Sequence, residues 1–133
     1  MTRPSARSSG YNSLKNTHMT KHEFELRRTV LLTFLFAFVG NVFPTLRRVS
    51  VSWTETTLAA TFYVDGEMND GYRKCFNAIE DSILASLAGM MTVRLQVLRL
   101  DYPEPIDDPR ESLFARWEGE CEPDWEAIRT LEN

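Results

Sequence analysis

The stretch Arg48–Val64, RVSVSWTETTLAATFYV, decides the fold, because apolar and polar residues alternate along both of its halves. The apolar residues that share a face are Val49, Val51 and Trp53 in the first half, and Leu58, Ala60, Phe62 and Val64 in the second. A period of two is typical of strands that bury one face. The polar run Thr54–Thr57 between the halves favours a turn, so the stretch predicts a β-hairpin.

Helical periodicity follows the hairpin. Apolar residues recur at steps of three and four at Tyr72, Cys75, Phe76, Ile79, Ile83 and Leu87. Asn69 or Asp70 can cap the start of this helix, and Gly89 can end it. Alternation returns from Thr92 to Asp101 and predicts a third strand. Leu113–Trp117 is a candidate fourth, edge strand, and Asp124–Leu131 a candidate final helical turn or two.

The segment before the hairpin is unusually apolar, with no charge from Thr29 to Leu46. Gly40, Asn41 and Pro44 should end a helix near Val39. About 11 uncharged helical residues remain, which span roughly 16 Å against a hydrocarbon core of about 30 Å. We therefore expect a core helix from His22 to Val39 rather than a membrane span.

This first helix is apolar on more than one side. Leu31, Leu35 and Phe38 form one stripe, and a second is formed by Val30, Phe34 and Ala37. A single sheet cannot cover both stripes. Either the C-terminal segment covers the second stripe, or that stripe is the interface of a homodimeric structural or adaptor protein. A third alternative is a helix that lies on a membrane surface.

The order helix, strand, strand, helix, strand predicts an α+β fold. We expect a two-layer sandwich in which two helices cover one face of a small antiparallel sheet, with a fourth edge strand as an option. Residues 21–133 would form this one domain. Residues 1–20 are basic and Ser-rich and are expected to be a disordered tail; alternatively the biological chain starts at Met19.

Charge is distributed unevenly along the chain, whose formal net charge is −4. Residues 101–133 hold 11 acidic residues and 3 arginines, whereas residues 1–48 hold 8 basic and 2 acidic residues. An acidic segment that contains Pro and Trp typically faces water or a basic partner and repels nucleic-acid phosphates. The residues predicted to bind such a partner are Asp101, Tyr102, Glu104, Asp107, Asp108, Trp117, Glu118 and Glu120. The alternative is a solvated tail with Trp117 packed on the core.

Catalytic patterns are weak. His18 and His22 stand at the start of the first helix, and neither has the spacing of a convincing metal site. Cys75 lies on an apolar stripe, where a buried, inert thiol is expected, and Cys121 has no second Cys or His at ligand spacing. We therefore predict no enzyme, no cofactor and no metal, and a reducing, cytoplasmic environment.

Four segments resemble the immunity partners of bacterial polymorphic toxins, of the Maf and contact-dependent growth inhibition type. They are Leu26–Arg28, Pro44–Val51, Phe62–Glu67 and Arg99–Pro105, within residues 24–106. The resemblance implies a cytoplasmic protein that binds and blocks a cognate toxin, often a nuclease, without catalysis. The very apolar first helix and the Trp-bearing segment after Pro109 depart from the pattern of these proteins.

Overall fold

The computed structural model describes residues 19–119 and residue 129. In residues 19–119, two helices and four strands follow in the order α1 (Lys21–Phe38), β1 (Leu46–Trp53), β2 (Thr57–Val64), α2 (Asp70–Leu87), β3 (Thr92–Arg99) and β4 (Glu111–Ala115). The predicted order is confirmed, and β4 starts two residues earlier than expected. The predictions for residues 1–18, for Cys121 and for 124–131 apart from Arg129 lie outside the described residues.

The strands form one sheet in the order β3-β2-β1-β4. β1 and β2 pair antiparallel and form the predicted hairpin, in a register that places Val49 opposite Phe62 and Trp53 opposite Leu58. β4 adds antiparallel to the other edge of β1. β3 runs parallel to β2, so the sheet is mixed and the expectation of an antiparallel sheet was wrong in this detail. The reason is α2, because a helical crossover returns the chain in the direction of the strand before it.

Local sequence explains where the helices begin and end. The Thr20 hydroxyl accepts a hydrogen bond from the Glu23 amide, and the Glu23 carboxylate accepts one from the Thr20 amide, which closes a capping box at the start of α1. The Asn69 side chain accepts from the Tyr72 amide and caps α2. After α1 the chain turns through Gly40 with a φ of 77°, a conformation that glycine adopts without strain.

The core lies between the helices and the inner face of the sheet. Phe62 of β2 meets Phe76 of α2 edge to face at 5.1 Å, and Phe38 of α1 meets Phe114 of β4 at 6.1 Å. Both helices therefore cover the same face, and the predicted two-layer α+β sandwich is confirmed.

The stripe predicted as a dimer face lies in this core. Val30, Phe34 and Ala37 are buried within one chain, so they are not available to a second copy. The exposed apolar residues of α1 and the loop after it are instead Phe24, Leu32, Leu35, Phe36, Val39 and Val42. The predicted dimer face was therefore on the wrong side of α1, a helix that is apolar around most of its circumference. Neither α1 nor α2 is long and apolar enough to cross a bilayer.

Candidate partner-binding surface

A segment without regular structure, residues 101–110, crosses the outer face of the sheet, and we call it the strap. It connects β3 at one edge with β4 at the other. On β2, the Tyr63 hydroxyl donates a hydrogen bond to the Asp108 carboxylate at 2.7 Å. On β1, the Arg48 guanidinium donates to the carbonyls of Asp108 and Arg110 at 2.8 and 3.0 Å. These bonds hold the strap against the face that the helices leave open.

Asp108 is the main anchor of the strap. Its carboxylate is 5 % exposed and forms an ion pair with Arg110 at 2.7 Å. The hydrogen bonds from Arg110, followed by the one from Tyr63, hold the pKa of Asp108 well below its ordinary value, although burial opposes the shift. Burial and the Asp108 carboxylate both raise the pKa of Tyr63. Asp108 is therefore an ionised internal group that fixes the strap.

A second anchor joins the start of β1 to the end of β4. Arg47 Nε donates to Glu118 Oε2 at 2.7 Å, and Arg47 Nη1 donates to the carbonyl of Leu100 at 2.6 Å. Arg116 bridges the same Glu118 carboxylate, at 3.0 Å, to Asp65 at 2.8 Å. The hydrogen bonds from Arg47, more than those from Arg116, lower the pKa of Glu118. The four side chains form one continuous ionic network.

Asp101 starts the strap and has internal partners of its own. Its carboxylate accepts from Arg99 Nε at 3.0 Å and from the backbone amide of Gly66 at 2.7 Å. The Arg99 hydrogen bond is the larger cause of the lowered pKa of Asp101, and the Gly66 amide adds to it. Asp101 thus ties the end of β3 to the turn after β2.

Two aromatic side chains project next to the second anchor. Tyr102 is 46 % exposed and Trp117 is 70 % exposed. Both line one shallow depression together with Arg116 and Glu118. The Arg47 guanidinium also lies over the Tyr102 ring, and the distance from Arg47 Cζ to the ring centroid is 5.7 Å. Trp117 does not pack on the core, so the alternative of a tail with a buried tryptophan was wrong for this residue.

The predicted partner-binding residues thus fall into two groups. Tyr102, Trp117, Glu104 and Asp107 are exposed, whereas Asp101, Asp108 and Glu118 are at least half-buried and satisfied by internal partners. Glu120 lies outside the described residues. We call Tyr102, Trp117, Glu104 and Asp107 the aromatic-acidic surface.

Sequence reasoning missed the arginines that satisfy the acidic groups. Arg110 follows Asp108 by two residues, and Arg116 precedes Glu118 by two. Residues two apart in an extended chain point to the same side, so this spacing was a usable signal for local pairing. Nothing local marks Arg47 as the main partner of Glu118, since 71 residues separate them.

The residues considered for chemistry are placed apart from this surface. His22 is exposed at the start of α1, 2.9 Å from the Glu55 carboxylate in the hairpin turn. Cys75 is a half-buried free thiol on α2. Among residues 19–119, no three or more His, Cys, Asp or Glu side chains come together as a metal site would require.

Comparison with protein-family models places the chain among known proteins. The family model described as MafI2 immunity protein matches residues 27–118, which is more than half of the chain. The matched range includes most of α1, the complete sheet, α2, the strap and Trp117. No curated protein sequence matches the chain.

Proposed function

Since this chain belongs to the MafI2 immunity protein family, we propose that it neutralises its cognate toxin by direct binding through the aromatic-acidic surface. Membership confirms the resemblance to Maf-type immunity partners that the sequence indicated. An immunity protein acts by occupying its toxin, so affinity and fit, rather than turnover, determine its effect. The remaining question is which part of the chain makes the contact.

The exposure of Trp117 carries this proposal. A tryptophan that is 70 % exposed beside a half-exposed tyrosine leaves a large apolar area in water, and such aromatic residues dominate the binding energy of many interfaces. The depression they line is bounded by the Arg116–Glu118 ion pair, which holds its wall in place. A surface that is ordered before binding loses less conformational entropy when the partner arrives.

The charge around the aromatic pair favours a basic partner. Glu104 and Asp107 of the strap are exposed. Exposed carboxylates speed the approach of a positively charged protein more than they strengthen the final complex. A toxin that cleaves nucleic acid carries a basic cleft for phosphates, so we propose a nuclease toxin whose cleft this surface occludes in the cytoplasm.

The test is the affinity of the purified protein for its cognate toxin. We expect Trp117→Ala and Tyr102→Ala each to weaken binding about 30-fold or more, the cost of losing a central aromatic contact of about 2 kcal/mol. Phe36→Ala is the matched control, because Phe36 is 72 % exposed but lies on α1, across the sheet from the strap. Loss of binding in the Phe36 variant with unchanged binding in the Trp117 variant would refute this location.

A second candidate function is supported by the exposed side of α1. Leu32, Leu35, Phe36 and Val39 leave a contiguous apolar stripe in water, which marks interaction surfaces in many proteins. A homodimeric structural or adaptor protein would bury this stripe against its twin.

A further inference from the structure

We propose that a pocket beside the aromatic pair binds a carboxylate side chain of the toxin, with Arg48 as the group that receives it. This proposal rests on the proposed function for the identity of the partner. The pocket has a volume of about 320 Å³ and lies between β1, β4 and the strap. Its lining residues are Arg47, Arg48, Pro105, Ile106, Ala115, Arg116 and Glu118.

The pocket adjoins the aromatic-acidic surface. It shares Arg116 and Glu118 with the depression that Tyr102 and Trp117 line. A partner that covers the aromatic pair therefore extends over the mouth of the pocket. One side chain of that partner is enough to enter it.

Among the described residues, the three arginines that line the pocket outnumber the carboxylates that pair with them. The guanidinium groups of Arg47 and Arg116 are matched by the carboxylates of Glu118 and Asp65. The polar contacts that the structure gives Arg48 are the two strap carbonyls, both accepting from Nη2. No carboxylate of residues 19–119 forms an ion pair with Arg48, and its Nε is buried without an acceptor. A partly desolvated guanidinium without a counter-ion is unfavourable, so the site favours an incoming anion.

The chemistry of the walls selects a carboxylate over a phosphate. One unmatched guanidinium suits one negative charge, and its planar donors suit a planar carboxylate. Pro105, Ile106 and Ala115 provide an apolar wall for the methylene groups of a Glu or Asp side chain. The exposed Glu104 and Asp107 of the strap repel a polyanionic nucleic-acid backbone.

The first test needs no toxin. Sodium acetate is titrated into the full-length protein at constant ionic strength, with sodium chloride as the balancing salt, while NMR follows the arginine side-chain resonances. We expect the Arg48 resonance to shift and saturate, while that of Arg94, an exposed arginine on the outer face of β3, stays unchanged. An Arg48 resonance that does not respond, or that responds only as Arg94 does, would overturn the proposal even with the toxin unidentified.

The second test uses the toxin. We expect Arg48→Met to weaken binding about 30-fold or more, the cost of truncating a desolvated charge pair, and Arg94→Met to change it by less than about twofold. Because Arg48 also holds the strap, each variant is measured against toxin variants in which single Asp or Glu residues become Asn or Gln. The Arg48→Met effect should disappear with one of them.

The outcomes separate the two proposals. An equal effect of Arg48→Met against every toxin variant would show that Arg48 only supports the strap, which refutes the carboxylate site and leaves the immunity function intact. A wild-type chain that fails to bind its toxin refutes the proposed function, while the acetate titration still decides whether the pocket binds a carboxylate.

Discussion

Arg47 Nε lies 2.7 Å from Glu118 Oε2, across 71 residues of sequence, and the two side chains are 2 % and 9 % exposed. The bond is bidentate, because Arg47 Nη2 also donates to Glu118 Oε1 at 3.0 Å. It fastens Glu118, three residues after the end of β4, to the start of β1 beside Tyr102 and Trp117. Arginines of the same chain thus neutralise part of the acidic segment. The segment therefore presents a surface of defined shape as well as a negative charge.

Glu118→Gln is expected to lower the free energy of unfolding by about 3–5 kcal/mol, because it removes the carboxylate that pairs with the buried Arg47 guanidinium through two hydrogen bonds. Urea unfolding at neutral pH measures the change. Glu67→Gln is the matched control, since Glu67 is 89 % exposed and 3.7 Å from Arg99. An exposed pair of this kind contributes at most about 1 kcal/mol. Equal losses in the two variants would contradict a structural role for the buried pair.

Acid should destabilise the fold in a defined window. Asp108 and Glu118 have pKa values lowered by folding from ordinary values of 3.8 and 4.5. Their contribution is complete above those values and is lost as the pH falls through the lower folded pKa values. We expect the free energy of unfolding to be flat from about pH 7 to 5 and to fall below about pH 4.5.

The Asp108→Asn variant tests the assignment of this acid sensitivity. We expect it to be less stable than wild type at neutral pH and to lose less stability on acidification, because it lacks one of the groups that must be protonated. Urea titrations at several pH values compare the slopes. A variant slope equal to that of wild type would show that Asp108 does not contribute.

Adjacent aspartates on the strap should behave differently. Asp107 is exposed, so Asp107→Lys is expected to slow association with a basic toxin several-fold at low salt and to flatten the salt dependence, with stability changed by less than about 0.5 kcal/mol. Stopped-flow association across a salt series measures this.

Asp108→Lys, in contrast, places a cation against Arg110 and should destabilise the fold by at least about 3 kcal/mol. Association rates of Asp107→Lys that match wild type would argue against electrostatic steering.

The elements of this fold were predictable because local patterns determine them. Alternation in Arg48–Val64 gave the hairpin and its inward face, and polar residues near Asn69 gave the start of α2. The parallel pairing of β3 was also within reach, because a strand, a helix and a strand in succession favour a parallel crossover. The expectation of an antiparallel sheet overlooked that rule.

The pairs formed by side chains far apart in the sequence were not predictable in the same way. Alternation tells which face of the sheet a side chain occupies, but not which distant side chain it contacts there. The ion pairs Arg47–Glu118 and Arg116–Asp65 could therefore not be predicted. The outward side of α1 was ambiguous for a related reason. Val30 and Phe34 are no more apolar than Leu35 and Phe36, and only the position of the sheet decides which pair is buried.

The exposed stripe of α1 predicts self-association. Phe36 and Val39 are among the most exposed apolar side chains of the described residues, and a second copy would remove them from water. We expect light scattering to give twice the 15.4 kDa chain mass for wild type and the single chain mass for Phe36→Glu. Leu98→Glu is the control, because Leu98 is exposed on β3 rather than on α1.

Such a dimer would leave the aromatic-acidic surface accessible to the toxin. The strap lies on the outer face of the sheet, and α1 lies on the inner side, so the two surfaces do not overlap. Phe36→Glu is therefore expected to be monomeric and to bind the toxin with unchanged affinity. A wild-type chain that is already monomeric at high concentration would rule out the dimer. Toxin binding lost in the Phe36→Glu monomer would instead place the toxin on α1 and overturn the assignment to Tyr102 and Trp117.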